Sequence, residues 1–168
     1  QQRLARPELF DGIKTKSEAE LHMEMELNRG LERGEFNLYY QPILSITDER
    51  IAGFEALIRW DHPEHGFVSP DDFIPIAERL PFIMPLGFWI IREAVTQVKI
   101  WQEKLVIDHP IHVGVNLSAN QFVNPGLSDG IADIMKSSDA DPSFFAFEIT
   151  ESAFMTDMET ANLQLLKL

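Results

Sequence analysis

The run Ile51-Ala52-Gly53-Phe54-Glu55-Ala56-Leu57-Ile58-Arg59-Trp60 sets a carboxylate and a guanidinium among residues that are otherwise apolar or small. It reads as a strand, and in a strand alternate residues share a face. Gly53, Glu55, Leu57 and Arg59 then point one way, while Phe54, Ala56, Ile58 and Trp60 point the other, so one face is wholly apolar and the opposite one carries both charges. Two later segments repeat the plan. In His112 to Ser118, Gly114 and Asn116 oppose Val113, Val115 and Leu117; in Phe145 to Thr150, Ala146 and Glu148 oppose Phe145, Phe147 and Ile149. Each time a small residue stands two positions before an oxygen donor. Such strands suit a barrel wall, where one face packs on helices and the other converges on a polar site.

The rest of the chain supplies the helices such a wall needs. Residues 1 to 16 mix Arg, Pro, Gly and Lys and read as a connector; Ser17-Glu18-Ala19-Glu20 then offers an S-x-x-E capping box for a helix to about Glu32, closed by Gly34. Leu21, Met25, Leu27 and Leu31 form its expected apolar stripe. Strands at about Phe36 to Leu44 and Arg50 to Trp60 are separated by Ser45-Ile46-Thr47-Asp48-Glu49 alone, too little for a crossover, so they pair as an antiparallel hairpin with Gln41 opposite Glu55. Ser69, Pro70 and Asp72 read as N-cap, first helical residue and reciprocal cap, which makes Asp71 and Asp72 helix-start residues rather than a catalytic pair. A helix over residues 86 to 104 with Trp89, Ile90, Ala94, Val95, Val98 and Trp101 inward, a strand from His112 to Ser118, a helix within about 127 to 137, a strand from Phe144 to Glu151 and a helix from about 156 complete an alternating α/β order.

The chain's composition restricts its chemistry. A net charge of −13 and a pI near 4.7 argue against a long nucleic-acid backbone as partner, and a small anionic ligand would need metal ions. The absence of cysteine removes disulfides, thiolate zinc sites and cysteine nucleophiles, and fits a reducing compartment. No apolar run reaches membrane-spanning length, and the segment opening at Gln1 has no apolar core of a signal peptide. His62 and His65, in a Pro-containing loop without a third ligand, read as surface residues rather than zinc ligands, and His112 as a buried, hydrogen-bonded histidine. There is no Gly-rich phosphate loop, no H-E-x-x-H and no G-x-S-x-G. Glu55, Asn116 and Glu148 offer only oxygen donors, two of them anionic, which suits Mg²⁺ or Mn²⁺, or Ca²⁺, better than zinc. Arg59 can grip a phosphate through its planar fork. Each residue alone has a local explanation: an ion pair of Glu55 with Arg59, a cap by Asn116, backbone amides for Glu148. Three donors on the inward faces of successive strands favour a shared site.

Five segments in order also resemble a known family: Tyr40-Gln41-Pro42-Ile43, Glu55-Ala56-Leu57-Ile58-Arg59-Trp60, Phe73-Ile74-Pro75-Ile76-Ala77-Glu78, Val115-Asn116-Leu117-Ser118 and Phe147-Glu148-Ile149-Thr150-Glu151-Ser152. Together they are similar to EAL-type cyclic di-GMP phosphodiesterase domains. The resemblance covers residues 32 to 168 and implies a TIM-like (β/α)8 barrel with an antiparallel first strand, about half of which is present, since such a fold takes about 250 residues. It implies that residues 1–31 are a connector and helix from an upstream region, with a sensor or GGDEF-type domain expected there. By the same resemblance Glu55, Asn116 and Glu148 bind metal, Gln41 and Arg59 contact the nucleotide, and Glu151 supports a loop over the site. Two Mg²⁺ or Mn²⁺ ions, a homodimer and a cytoplasmic location are implied as well. The water-activating residues are expected beyond Leu168, so residues 1–168 alone are expected to be inactive. Where the family often carries Glu-x-Gly-Leu-Ile, this chain has Arg79-Leu80-Pro81-Phe82-Ile83, a departure that touches no proposed site residue. A catalytically inactive relative that binds the nucleotide or a protein partner is the alternative.

Overall fold

The computed structural model describes residues 16–47, 49–104, 111–149 and 166, with side chains from residue 21 onward. The elements run α1 (Lys16–Arg33), β1 (Phe36–Ser45), β2 (Arg50–His62), β3 (Gly66–Val68), α2 (Pro70–Ala77), α3 (Ile83–Lys104), β4 (His112–Leu117), α4 (Ala119–Phe122), α5 (Leu127–Ser138) and, after a 3-10 turn at Pro142–Phe144, β5 (Phe145–Ile149). They form two compact units. One takes the chain up to Asn37 with Arg59–Phe82; the other takes Leu38–Ile58 with the chain from Ile83 onward.

In the first unit, α1 buries Met23, Leu27 and Gly30, while Leu21 and Met25 are 59% and 44% exposed. The apolar stripe is therefore not the one expected from Leu21 and Met25. Residues 23, 27 and 30 share one face at helical spacing, and a shift of two positions turns a side chain by about 200°. Ser17 lies inside α1 rather than at its cap, because the helix is already under way at Lys16. Gly34 ends it as expected, at φ +69°, with the Glu35 amide bonded to the Gly30 carbonyl at 2.9 Å. Ser69 does stand at the N-cap of α2 with Pro70 next, but its side chain makes no cap bond. Its carbonyl accepts the Asp72 amide instead, at 2.9 Å, so the reciprocal box expected with Asp72 is absent.

The core of this unit is aromatic. Phe36 stacks on Trp60 at 5.2 Å and meets Phe73 at 5.7 Å and Phe82 at 6.5 Å. The indole N–H of Trp60 donates to Glu35 at 3.0 Å, so the buried ring leaves no polar atom unpaired. The end of β2 pairs antiparallel with β3, Trp60 opposite Val68 and His62 opposite Gly66. This carries the strand to His62, past the Trp60 end expected from the sequence.

The second unit holds most of the sheet, whose order is β1-β2-β4-β5 with β3 paired to β2 off this path. The turn between β1 and β2 leaves room only for a hairpin, whereas β2 with β4 and β4 with β5 pair in parallel. An antiparallel first strand followed by parallel ones, with helices between them, is part of a (β/α) barrel. Ala56, Val113, Val115 and Leu117 are buried with Ile91, Ala94, Val95 and Val98 of α3 and Ile131, Ile134 and Met135 of α5. The inward face of α3 centres on Ile91, while Trp89 and Ile90 are only half-buried. His112 corrects another expectation. It is exposed at the start of β4, where Nδ1 donates to the Ser143 carbonyl at 3.0 Å. The helix expected from about 156, the end of the last strand and Glu151 lie outside the described residues.

Candidate functional site

Three adjacent strands bring Glu55, Asn116 and Glu148 together. The β2–β4 register sets Glu55 opposite Gly114, and the β4–β5 register sets Gly114 opposite Ala146 and Asn116 opposite Glu148. The Asn116 side-chain amide donates to Glu55 Oε1 at 2.7 Å. Glu148 leans over Gly114: a methyl group there would stand 2.5 Å from Glu148 Oε1. Gly114 thus leaves the floor space into which one carboxylate reaches toward the strand that faces the other. The small residue before Glu55 serves a different end, since a methyl at Gly53 would stand 2.5 Å from the His112 carbonyl oxygen. Its size lets β2 and β4 approach.

Glu55 is half-buried, while Asn116 and Glu148 are exposed. With its N–H₂ turned to Glu55, Asn116 has its carbonyl oxygen left to offer, so the cluster presents oxygen donors only. Among the described residues there is no group of three or more His, Cys, Asp or Glu side chains suited to a metal ion; this cluster has two carboxylates and an amide. Gln41 is exposed on β1, the neighbour of β2. Arg59 is half-buried on the part of β2 that belongs to the first unit.

The opposite face of the hairpin is apolar. Tyr40 meets Trp101 edge-on at 4.9 Å and Phe54 meets it at 4.8 Å. Burial pushes the Tyr40 phenol far above its usual range, with Glu93 adding to the shift, so it is a neutral packing group.

A second polar cluster sits in the first unit, around a pocket of about 320 Å³ lined by His22, Glu26, Arg29, Arg33, His62 and His65 among others. His62 is buried at 6% exposure, not the surface residue expected. Its Nδ1 accepts the amides of Glu64 and His65 at 3.1 and 3.2 Å, which leaves the ring proton on Nε2, 3.2 Å from Glu26 Oε2. Burial raises the Glu26 pKa, but the bonds from His62 and Arg29 outweigh it and hold the carboxyl below its usual range. This network closes on itself and ties the 62–66 turn to α1.

Sequence reasoning missed one supporting group, the buried Gln121. Ser118-Ala119-Asn120-Gln121 is an S-x-x-Q capping box, and both of its reciprocal bonds are present at the start of α4. The signal was legible, but no apolar run long enough for an ordinary helix follows it.

Comparison with known proteins adds an independent line. The family model described as the EAL domain matches residues 24–168. The chain is 34% identical over 149 residues to the bifunctional diguanylate cyclase/cyclic di-GMP phosphodiesterase MucR of Pseudomonas aeruginosa, covering 89% of this chain and 22% of that protein. It is 35% identical over 138 residues to another cyclic di-GMP phosphodiesterase of the same organism, covering 82% of this chain and 23% of that protein. The chain therefore spans about a quarter or less of these relatives. Among solved structures, the MucR phosphodiesterase in complex with c-di-GMP superimposes with a TM-score of 0.79 at 34% identity, over 87% of this chain and 58% of that one. An EAL enzyme with cAMP and cyclic di-GMP bound gives 0.80 at 27% identity, over 92% and 43%. The sheet order, the acids of β2 and β5 on either side of β4 and these matches agree, and the chain belongs to the EAL domain family.

Proposed function

We propose that the protein carrying this chain is a metal-dependent phosphodiesterase that hydrolyses cyclic di-GMP to the linear dinucleotide in bacterial second-messenger signalling. The observation that carries this reading is the Asn116–Glu55 hydrogen bond at 2.7 Å, with Glu148 on the facing strand leaning over Gly114. Relatives named for this activity, one of them solved with the nucleotide, support it. The all-oxygen donor set fits a hard cation, and Glu55, Asn116 and Glu148 would hold Mg²⁺ or Mn²⁺. Such an ion supplies a low-pKa water and neutralises charge on the phosphodiester.

This chain's other residues orient the substrate in the same reading. Gln41 would contact the nucleotide from β1. Arg59 would take a phosphate by a bidentate fork, an assignment that rests on strand alternation and family resemblance. Glu151 would support a loop over the site. Groups that hold a second ion and position the water would come from beyond Leu168. Partners in this reading are a second copy of the chain and an upstream sensor or GGDEF-type domain, in the cytoplasm. No described helix is long and apolar enough to cross a membrane.

The test is cyclic di-GMP hydrolysis by the full-length protein with Mg²⁺ or Mn²⁺, beside its Glu55→Ala variant and residues 1–168 alone. Turnover is expected from the first only. Unchanged turnover in Glu55→Ala overturns the metal assignment, and a monodisperse, active 1–168 monomer overturns the division of the domain.

A further inference from the structure

Gln121 is 4% exposed and its polar groups are spent inside the fold. Its Oε1 accepts the Ser118 amide at 2.8 Å, its own amide donates to Ser118 Oγ at 3.3 Å, and Nε2 donates to the Ile83 carbonyl at 2.9 Å. Ile83 opens α3. The carboxamide has room there because Gly87, one turn along α3, carries no side chain; a methyl group at Gly87 would overlap Gln121 Nε2. One side chain therefore joins the end of β4, the start of α4 and the start of α3.

That junction matters because of where the sheet pairing stops. The β2–β4 ladder ends at Ala56 opposite Val115, so Asn116 lies one residue past its last β2 partner. On its other side β5 continues, to Leu117 opposite Ile149. The distance from Asn116 to Glu55 is thus not fixed by a ladder bond between their own strands at that residue. What holds this stretch from beyond the strand end is the Ser118 amide, two residues on, anchored by Gln121.

We propose that Gln121 is a positioning residue for the Glu55–Asn116 donor pair. By pinning Ser118 to the start of α3, it holds the Asn116 amide within hydrogen-bond reach of Glu55 and keeps its carbonyl oxygen turned to the site. The proposal deepens the metal reading above, and its first readout does not depend on that reading.

The experiment follows the side-chain amide of Asn116 by ¹⁵N NMR in the full chain. Gln121→Met, which keeps length and removes both polar atoms, is expected to speed exchange of the Asn116 side-chain protons about tenfold and to shift their resonance. Phe122→Leu, a change at a fully buried neighbour, serves as the stability control. It should lower the melting temperature comparably and leave the Asn116 signal in place. Gln121→Glu, which keeps an acceptor for the Ser118 amide but loses the donor to the Ile83 carbonyl, breaks the tie to α3 and should recover little of the signal. In a Mn²⁺ titration read by line broadening, Gln121→Met should need about tenfold more ion, as for groups that orient metal ligands. An unchanged Asn116 signal in Gln121→Met, full recovery in a folded Gln121→Glu, or an equal change in Phe122→Leu would overturn the proposal. Absence of any Mn²⁺ effect on the unsubstituted chain would instead overturn the metal reading, with the Asn116 readout still deciding the role of Gln121.

Discussion

His62 and Glu55 lie on the same strand, in different units, and use their polar atoms in opposite ways. His62 is buried with both ring nitrogens engaged, by two backbone amides and by Glu26. Glu55 is half-buried and, among the described residues, its carboxylate receives one hydrogen bond, from Asn116. The first arrangement satisfies every polar atom that burial would otherwise penalise. The second leaves carboxylate and amide oxygens facing outward together. Polar residues in this molecule divide into groups that complete a structure and groups still available to a ligand. Residue type alone does not separate the two, since both clusters contain glutamates.

The widest gap between the units should appear in stability. Trp60→Ala removes the ring at the centre of the first unit, 1% exposed and bonded to Glu35, and is expected to cost about 3–5 kcal/mol. Urea denaturation followed by circular dichroism measures it. A loss under about 1 kcal/mol would mean that the aromatic cluster is not what holds this unit.

Glu55→Ala tests the open cluster. Mn²⁺ affinity should fall at least about a hundredfold, or roughly 2.7 kcal/mol, while the unfolding free energy changes by less than about 1 kcal/mol. A mutant that loses stability and keeps its metal would place Glu55 with His62, among the structural groups.

Arg59→Ala sharpens the comparison at the strand that passes through both units. Calorimetry should show cyclic di-GMP binding weakened at least about tenfold, since even one charged hydrogen bond of the fork is worth that much, with Mn²⁺ affinity nearly unchanged. Equal losses of both would make Arg59 a structural partner of the acids.

The smallest effect is a pH dependence of the closed cluster. Glu26 is held below its ordinary value of 4.5 by His62 and Arg29 against the opposing pull of burial. A carboxyl depressed in the folded state contributes stability above its unfolded pKa and loses it as pH falls through the folded one. Stability should therefore decline below about pH 4.5, and Glu26→Gln should make that decline shallower. An identical acid limb in the variant would show that the His62 bond does not couple to folding.

The sequence made much of the sheet legible. Alternation in residues 51–60 correctly separates Ala56, Ile58 and Trp60 from Glu55, and the short turn before Arg50 dictates a hairpin. Helix faces were less legible. Leu21, Met23, Met25 and Leu27 are all apolar, so the pattern on α1 leaves several stripes open, and only contact with the rest of its unit selects Met23 and Leu27. His62 looked like a loop residue because its partner Glu26 is 36 positions away. Residues that are distant in the chain leave no local trace of their meeting.

Two kinds of information are thus divided in this protein. The sequence by itself determined which face of each strand is apolar, where chain direction must reverse and which residues bear oxygen donors, because these follow from backbone geometry over a few neighbouring residues. Only the tertiary structure decided that Glu55 faces Gly114, that Asn116 faces Glu148 and ends one residue beyond its β2 partners, and that Gln121 closes over the end of that strand. Register and burial are set by packing between distant segments, and a shift of one residue in any of these ladders would turn the donors away from one another.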